Sequence, residues 1–486
     1  MERVPRQATG RGQTLDPDRC YKALLSRDQR FDGSFFTGVT TTGIYCRPVC
    51  PARTPKRSNV RFFRHAAAAE DAGFRACRRC RPEAAPGSAA WDPAGDLVSR
   101  ALQLVDDGAL DHGSVAALAG RLHVTERHLR RLFDERVGAS PIAVARTRRA
   151  HLARRLLDET DLAVTDVCFA AGFGSVRQFN DVMRASFAAA PSMLRDGRRR
   201  RSRWPEGTPL TVRLPFRAPL DWEATTHVLS VKTTALVEVV EGQHYRRTVP
   251  GGWVEIRPGG DRQLLLDAHV GDVGHLSSLV ARARALFDLD ADTETIGEHL
   301  AVDPFLRPLV LRHPGLRVLG AWDGFETAVR AVVGQLVSVR GATTTAGKVA
   351  AALGGAADTG VAGLDRLWPG PEALVDAELE AVGMTRAKAT AIRSLAAAVI
   401  DGRVALDGSM LPADLATALV ELPGIGPWTA DIVRMRVSRD PDAFVPGDLG
   451  VRRALGGVGV LEADARSQAW RPWRAYAAMY LWRSIS

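Results

Sequence analysis

Two close pairs of cysteines constrain the N-terminal part of this 486-residue chain more than any other feature. Cys46 and Cys50 are separated by three residues, Cys77 and Cys80 by two, and 26 residues lie between the pairs. When a small fold brings such pairs together, they can supply four thiolates to a tetrahedral zinc ion. The spacing therefore predicts a zinc module, and spacing alone leaves a purely structural zinc site as one alternative.

The other two cysteines, Cys20 and Cys168, lie outside this pattern, and we expect both to be small buried hydrophobes. The N-terminus has no apolar signal segment, and no run approaches the length of a transmembrane helix. We therefore expect a cytoplasmic protein without a membrane partner. In that compartment thiols stay reduced, so the cysteines indicate metal ligands or reactive thiols rather than disulfides.

The net charge of +10 is distributed unevenly along the chain. Residues 1–204 carry 36 Lys and Arg against 22 Asp and Glu, whereas residues 205–486 carry 29 against 33. The first part is thus +14 and the second −4. A basic segment beside a nearly neutral one indicates a polyanionic partner, with nucleic acid the foremost candidate. An arginine-rich proteome is the alternative explanation.

The sequence around the cysteines reads FFTGVTTTGIYCRPVCPARTPKRSNVRFF and then GFRACRRCRPE. Over residues 16–85 it resembles the N-terminal domain of the Ada family of bacterial adaptive-response proteins. The resemblance implies one zinc ion held by Cys46, Cys50, Cys77 and Cys80. It also implies that Cys46 irreversibly accepts a methyl group from a DNA methylphosphotriester. Methylation would remove one negative charge from the site, and so strengthen binding to DNA phosphates.

Residues 91–195 show helical periodicity and two helix-turn-helix patterns in tandem. Ser114 and Thr125 are the predicted N-caps of the first pair, while Gly172 supplies the turn and Ser175 the cap of the second. The second copy, with AAGF and a closing AP, resembles AraC-type regulators, which implies binding to promoter DNA, with RNA polymerase as a candidate partner. The predicted DNA contacts lie on the second helix of each pair: Arg127, Arg130, Arg131, Arg177, Gln178 and Asn180.

In the C-terminal half, apolar and polar residues alternate as in strands over residues 208–275, and the pattern is helical from about residue 280. Its most informative segments are ELPGIGPWTA (421–430) and FVPGDLGV (444–451). A Gly-x-Gly turn between helices lets backbone N–H groups approach a phosphate closely, although an ordinary capping turn is the alternative. With AVRAVVGQLVSVRGA and WRPWRAYAAMYLWRS, these segments resemble the helix-hairpin-helix DNA glycosylases of the AlkA type, 3-methyladenine DNA glycosylase II.

This second resemblance implies roles for particular residues. Asp448 would be the catalytic carboxylate, which stabilises an oxocarbenium-like sugar or orients a water. Trp428 and Trp482 would form the pocket for the flipped base, and Leu336 would be the wedge that fills the gap left in the DNA. Gly424 and Gly426 would hold a phosphate through their backbone amides. Strand-cleaving relatives carry lysine where this chain has Trp428, so the resemblance favours a monofunctional glycosylase.

The sequence thus predicts a multidomain protein. Its predicted domains are a small α/β zinc methyl-acceptor domain (1–88), an all-α tandem helix-turn-helix domain (89–196), a basic linker (197–207), an α+β domain like the AlkA N-terminal domain (208–280) and an all-α helix-hairpin-helix glycosylase domain (281–486). The predicted function combines repair of alkylated double-stranded DNA with regulation at promoters. The alternative is an AraC-type regulator whose glycosylase domain binds DNA without excising bases.

Overall fold

The computed structural model describes residues 15–85, 97–195 and 209–485 of the chain. They form two compact units, the first ending before residue 196 and the second beginning at residue 209. The predicted linker, residues 197–207, lies outside the described residues. Within the described ranges, no helix has both the length and the apolar composition needed to cross a membrane.

The four-cysteine part of the first unit is a small sheet covered by short helices. Its elements are α1 (Pro17–Ser26), β1 (Phe36–Val39), β2 (Ile44–Cys46), β3 (Val60–Phe63), α2 (Ala66–Asp71) and β4 (Arg75–Ala76). The strand order is β3-β1-β2-β4, in which only β4 runs parallel to its neighbour. The rings of Phe36 and Tyr45 pack edge to face at 5.8 Å. The buried face of α2 consists of alanines, whose small side chains allow a close approach to the sheet. This confirms the small α/β domain.

The rest of the first unit is helical, as the sequence predicts. Its helices are α3 (Leu97–Asp106), α4 (Val115–Arg121), α5 (Glu126–Arg136), α6 (Pro141–Glu159), α7 (Val164–Ala170), α8 (Val176–Phe187) and α9 (Pro191–Leu194). The side chains of Ser114, Thr125 and Ser175 accept N–H groups at the starts of α4, α5 and α8, as predicted. Gly172 turns the chain with a φ of +87°, a conformation that favours glycine. The long helix α6 packs against α3, α7 and α8, and its residues Ala143 and Val144 belong to the same apolar cluster as residues of α4 and α5.

The second unit begins with a five-stranded antiparallel sheet. Its elements are β5 (Leu210–Pro215), α10 (Trp222–Ser230), β6 (Glu238–Glu241), β7 (His244–Val249), β8 (Gly252–Pro258) and β9 (Gln263–Val270), in the sheet order β5-β9-β8-β7-β6. The strand structure predicted around residues 227–241 is partly wrong, because the residues up to Ser230 belong to the helix α10. Asp221 caps this helix, and the Thr225 hydroxyl donates to a carbonyl of the preceding turn.

Helices form the remainder of the second unit. They are α11 (Leu276–Leu286), α12 (Thr293–Leu300), α13 (Arg307–Arg312), α14 (Gly324–Val333), α15 (Val339–Leu353), α16 (Pro371–Leu374), α17 (Arg386–Ile400), α18 (Pro412–Val420), α19 (Pro427–Val437), α20 (Leu449–Ala454), α21 (Val460–Ser467) and α22 (Arg474–Ser484). One apolar core is shared by α14, α17, α18 and α19. A buried network joins this part to the sheet, since Arg247 pairs with both Glu238 and Glu326. Cys20 and Cys168, in the first unit, are buried as predicted.

Candidate functional sites

Sheet geometry brings the two cysteine pairs together. Strands β2 and β4 run parallel, with Tyr45 opposite Ala76, so the next residues, Cys46 and Cys77, emerge at the same edge. Tight turns then return Cys50 and Cys80 toward them. The four Sγ atoms lie within 4.8 Å of one another, and all four side chains are buried.

This cluster fits a zinc ion. Tetrahedral zinc–sulfur bonds of about 2.3 Å place sulfur atoms about 3.8 Å apart, which the four Sγ atoms can meet with small movements. The backbone N–H of Arg47 donates to Cys80 Sγ at 3.4 Å, a contact that favours a thiolate. Hydrogen bonds among the four thiols raise the pKa of Cys46 and lower that of Cys77, so a bound cation is needed before all four can be thiolates. The donor set is that of a closed four-thiolate site.

The cysteine cluster contacts the helix-turn-helix part directly. Arg78, between two of the cysteines, donates to the carbonyl oxygens of Phe187 at 2.8 Å and Ala188 at 3.1 Å, at the end of α8. Tyr45, beside Cys46, donates to Glu70 at 2.9 Å. The other oxygen of Glu70 accepts the Thr147 hydroxyl of α6 at 2.8 Å. Sequence reasoning missed these contacts, because Arg78 and Phe187 are 109 residues apart.

The predicted DNA contacts of the helix-turn-helix part lie on its surface. All six are exposed or partly exposed side chains on α5 and α8: Arg127, Arg130, Arg131, Arg177, Gln178 and Asn180. Arg130 pairs with Glu126 one turn earlier at 2.5 Å, and Arg131 contacts His128 at 3.0 Å. Pairs between exposed residues one turn apart are weak, so both guanidinium groups remain available to a phosphate or a base.

Three predicted residues of the second unit meet at one carboxylate. Asp448 Oδ1 accepts the Trp482 indole N–H at 2.8 Å and the Val451 backbone N–H at 2.9 Å. Asp448 Oδ2 accepts the Trp428 indole N–H at 3.0 Å. Asp448 is therefore both the N-cap of α20 and the centre of a polar site. The indole donors add a role that sequence reasoning did not foresee, since it assigned both tryptophans to base stacking only.

The hairpin and the wedge residue are joined to each other. Gly424 has a φ of +79°, and a Cβ there would lie 2.9 Å from the Ala391 side chain. Leu336 is fully exposed and has a φ of +54°, which is strained for a leucine. The neighbouring Gln335 amide donates to the Gly424 carbonyl and to the Thr429 hydroxyl, both at 2.9 Å. Sequence reasoning missed Gln335, although its place beside Leu336 was a usable signal.

Gly426, the second predicted phosphate contact, precedes α19 and serves as its N-cap with an extended backbone. A Cβ at this position would meet nothing within 4 Å. Packing therefore does not require glycine at this position, whereas the missing side chain lets a ligand approach the backbone closely. The structure thus places Gly424 and Gly426 in one turn, with packing requiring glycine only at the first.

Family models match three parts of the chain. The metal-binding domain of Ada matches residues 19–83, a helix-turn-helix domain matches 118–197, and the AlkA N-terminal domain matches 211–323. The structure of 3-methyladenine DNA glycosylase from Archaeoglobus fulgidus is similar in fold, with a TM-score of 0.50 at 22% identity, over 56% of this chain and 99% of that one.

Curated relatives resemble one part of the chain or all of it. DNA-3-methyladenine glycosylase 2 of Escherichia coli is 30% identical over 55% of this chain and 95% of its own length. The bifunctional transcriptional activator/DNA repair enzyme Ada of the same organism is 36% identical over 33% of this chain and 43% of its own. The probable bifunctional transcriptional activator/DNA repair enzyme AlkA of Mycobacterium tuberculosis is 42% identical over 97% of both chains. A similarity that runs the whole length places this chain in the family of bifunctional transcriptional activator/DNA repair enzymes that join an Ada-type zinc domain and a helix-turn-helix region to an AlkA-type glycosylase.

Proposed function

We propose that the second unit cleaves the N-glycosidic bond of alkylated bases such as 3-methyladenine in double-stranded DNA. The observation that carries this proposal is the convergence of Trp428, Trp482 and the α20 amide on the Asp448 carboxylate. Neutral donors hold the carboxylate in place without cancelling its charge. Its negative charge can then stabilise the positive charge that develops on the sugar as the bond breaks.

The neighbouring residues prepare the substrate for that step. Leu336 projects fully into solvent, as a side chain that enters DNA must. The turn that contains Gly424 and Gly426 offers backbone amides to a phosphate at the start of α19. Because Gln335 joins the two segments, the wedge and the phosphate contact act on the DNA from a fixed separation. A cationic base stacked on an indole gains roughly 0.5–2 kcal/mol, which favours alkylated purines over normal ones.

The test is Asp448→Asn. Asparagine is as good an N-cap as aspartate, so α20 is retained while the charge is lost. We expect release of 3-methyladenine from methylated DNA to fall by about 10²- to 10³-fold. Asp323→Asn is the matched control, because Asp323 caps α14 through the same kind of bond. Base release that survives Asp448→Asn would overturn the catalytic assignment of Asp448. Absence of base release from the unsubstituted protein would favour the regulator whose glycosylase domain binds DNA without excision.

We also propose that Cys46 accepts a methyl group from DNA methylphosphotriesters, with the four-cysteine cluster as the supporting observation. Bound zinc would keep the cluster deprotonated, because a ligating thiol loses its proton. The Cys46 thiolate attacks the methyl carbon, a sulfur–carbon bond forms, and the bond between that carbon and the phosphate oxygen breaks. The electron pair stays on oxygen and restores the phosphodiester. No group regenerates the thiol, so the transfer occurs once per molecule.

This transfer is tested by incubating the full chain with methylphosphotriester DNA and measuring the mass of the peptide that contains Cys46. We expect a methyl-sized increase in the protein and none in Cys46→Ala. Cys168→Ala is the control, since Cys168 is a buried cysteine outside the cluster. An unchanged peptide mass in the unsubstituted protein would rule out the methyl-acceptor role.

Binding of promoter DNA by α5 and α8 completes the proposed function, with RNA polymerase as the partner at the promoter. Two relatives of this chain are named bifunctional transcriptional activator/DNA repair enzymes, which supports this extension. The proposed setting is the cytoplasm, where thiols remain reduced. A transcription assay with purified polymerase, comparing methylated and unmethylated protein, tests the partner. Equal transcript levels with and without the protein would exclude activation.

A further inference from the structure

The loop that carries Leu336 is held at both of its ends. It comprises residues 334–338, between the last residue of α14 and the Ser338 cap of α15. At its start, the Lys388 ammonium of α17 donates to the Val333 carbonyl at 2.8 Å. This bond fixes the point at which the chain leaves α14 toward the wedge residue.

Lys388 belongs to a closed ring of contacts around this loop. Helix α17 also touches the hairpin turn, since a Cβ at Gly424 would lie 2.9 Å from the Ala391 side chain. The Gly424 carbonyl accepts the Gln335 amide at 2.9 Å. Gln335 follows Val333 by two residues, and the Val333 carbonyl returns the ring to Lys388. Three segments that are distant in the sequence therefore fix one another.

The conformation inside this ring is one that leucine does not adopt freely. Leu336 has a φ of +54°, and its side chain is fully exposed. An exposed side chain makes few packing contacts, so the restraint must come from neighbouring groups. Backbone strain of this kind persists only where the surrounding structure over-determines it. The bonds of Gln335 and Lys388 supply that restraint on the N-terminal side of Leu336.

We propose that Lys388 is a positioning residue for base extrusion, because it holds the wedge loop ready before DNA binds. This inference rests on base release at Asp448, as proposed above. A loop that becomes ordered only on binding loses conformational entropy at that moment, whereas a loop already ordered in the free protein avoids this cost. Lys388 touches the wedge loop and not the Asp448 carboxylate, so its effect should fall on extrusion rather than on cleavage of the N-glycosidic bond.

The pairing state of the lesion separates these two steps. Extrusion costs most for a base that is paired and stacked, and least for one that is mismatched or unpaired. A wedge positioned in advance should therefore matter for a lesion opposite its partner base, and much less for the same lesion opposite an abasic site.

The experiment uses the full chain and two duplexes that contain 7-methylguanine, one with cytosine and one with an abasic site opposite the lesion. Single-turnover release rates are measured at saturating protein, so that differences in affinity do not enter. Methionine is about as long as lysine but has no donor. For Lys388→Met we expect release from the paired duplex to fall by about 10-fold, as for the weaker hydrogen bonds to charged groups. Release from the unpaired duplex should change by less than about 2-fold, because little extrusion cost remains there.

Three further variants separate the hydrogen bond from charge and folding. Lys388→Gln ends one atom short of the carbonyl and should show the same selective loss, which keeps the test open if the methionine variant does not fold. Lys388→Arg keeps a cationic donor beside Val333, so most of the paired release should remain. Lys348→Met is the matched control, because Lys348 is an exposed lysine of α15 and its loss removes the same charge from the same unit.

The ring of contacts also predicts how two substitutions combine. Gln335→Ala opens the ring at another bond, so adding Lys388→Met to it should reduce paired release by less than Lys388→Met does alone. Equal losses from the two duplexes, unchanged paired release, the same loss in Lys388→Arg or in Lys348→Met, or fully additive effects with Gln335→Ala would each overturn the proposal. An unsubstituted protein that releases 7-methylguanine from neither duplex would instead contradict the glycosylase function itself.

Discussion

The two units hold their reactive anions in opposite ways. In the first, Cys46 lies among three other cysteines whose Sγ atoms are within 4.8 Å of one another. Thiols so close together cannot all ionise unless a cation joins them. In the second, the Asp448 carboxylate is held by the N–H groups of Trp428, Trp482 and Val451 and requires no cation. In the proposed mechanisms, one unit depends on a metal for its reactivity, and the other on the placement of neutral donors.

The same contrast extends to the way each unit meets DNA. The first unit presents exposed arginines on α5 and α8, in the part of the chain that carries the +14 charge. The second, in the part that carries −4, presents backbone amides, the exposed Leu336 and the partly buried indoles of Trp428 and Trp482. Binding by charge is screened by salt, whereas binding by a wedge and a pocket is much less so.

The largest expected effect is the response to loss of one cysteine. Cys50→Ala removes a ligand without touching Cys46, so zinc content should fall from a full equivalent toward none, and methyl transfer should be abolished. Release of 3-methyladenine should persist, because the Asp448 site uses no metal. Metal analysis and the two activity assays on one preparation measure this difference. Methyl transfer that survives without zinc would break the contrast between the units.

A second prediction concerns acid stability in the first unit. His65 Nδ1 accepts the Ala67 N–H at the start of α2, and burial lowers the pKa of His65 to about 4 from 6.5. Because the folded value is the lower one, protonation opposes folding, and stability is lost as the pH falls from about 6.5 to 4. A shift of this size corresponds to about 3 kcal/mol.

His65→Asn keeps a capping side chain that does not titrate in this range. We expect hydrogen exchange in the α2 peptide to accelerate between pH 7 and 5 in the unsubstituted protein, after correction for intrinsic rates, and to change much less in the variant. Peptides from α17 in the second unit serve as the internal reference. An identical pH response in both proteins would mean that another group controls the acid sensitivity.

A third prediction tests whether the indole N–H groups matter beyond ring stacking. Trp482→Phe and Trp428→Phe each keep an aromatic ring but remove one donor to Asp448. A hydrogen bond to a charged group contributes about 1.5–3 kcal/mol, so base release should fall by about 10- to 100-fold in each variant. Trp470→Phe is the matched control, since its indole donates to Asp303 at 2.7 Å. Full activity in both variants would show that the indole N–H groups do not contribute to base release and that only the aromatic rings matter.

The smallest expected effect is on salt dependence. When a protein gives up one ion pair with a DNA phosphate, the slope of log affinity against log salt decreases by about 0.9. We expect Arg130→Ala to lower this slope for promoter DNA by up to that amount. Leu336→Ala should weaken binding to lesion-containing DNA while leaving the slope unchanged, because leucine carries no charge. Titrations at several salt concentrations measure both, and equal changes of slope would remove the distinction between the two modes of binding.

Local sequence was sufficient for much of this molecule. The cysteine spacing predicted the four-sulfur cluster, because each pair is joined by a turn too short to separate its members. Ser114, Thr125 and Ser175 predicted helix starts, since a cap acts on the backbone only two or three residues away. The prediction failed around residues 227–241, where a cap at Asp221 outweighed a strand-like alternation.

The tertiary structure alone decided which distant side chains meet. Nothing in the residues around Arg78 predicts that it binds the end of α8, and nothing around Lys388 predicts that it binds the end of α14. Nor could the sequence show that both indoles donate to Asp448. Spacing along the chain fixes turns, caps and short-range clusters, whereas contacts between segments depend on which apolar faces pack together. The sequence therefore determined the families and predicted the reactive residues, and packing determined the partners that set their charge and position.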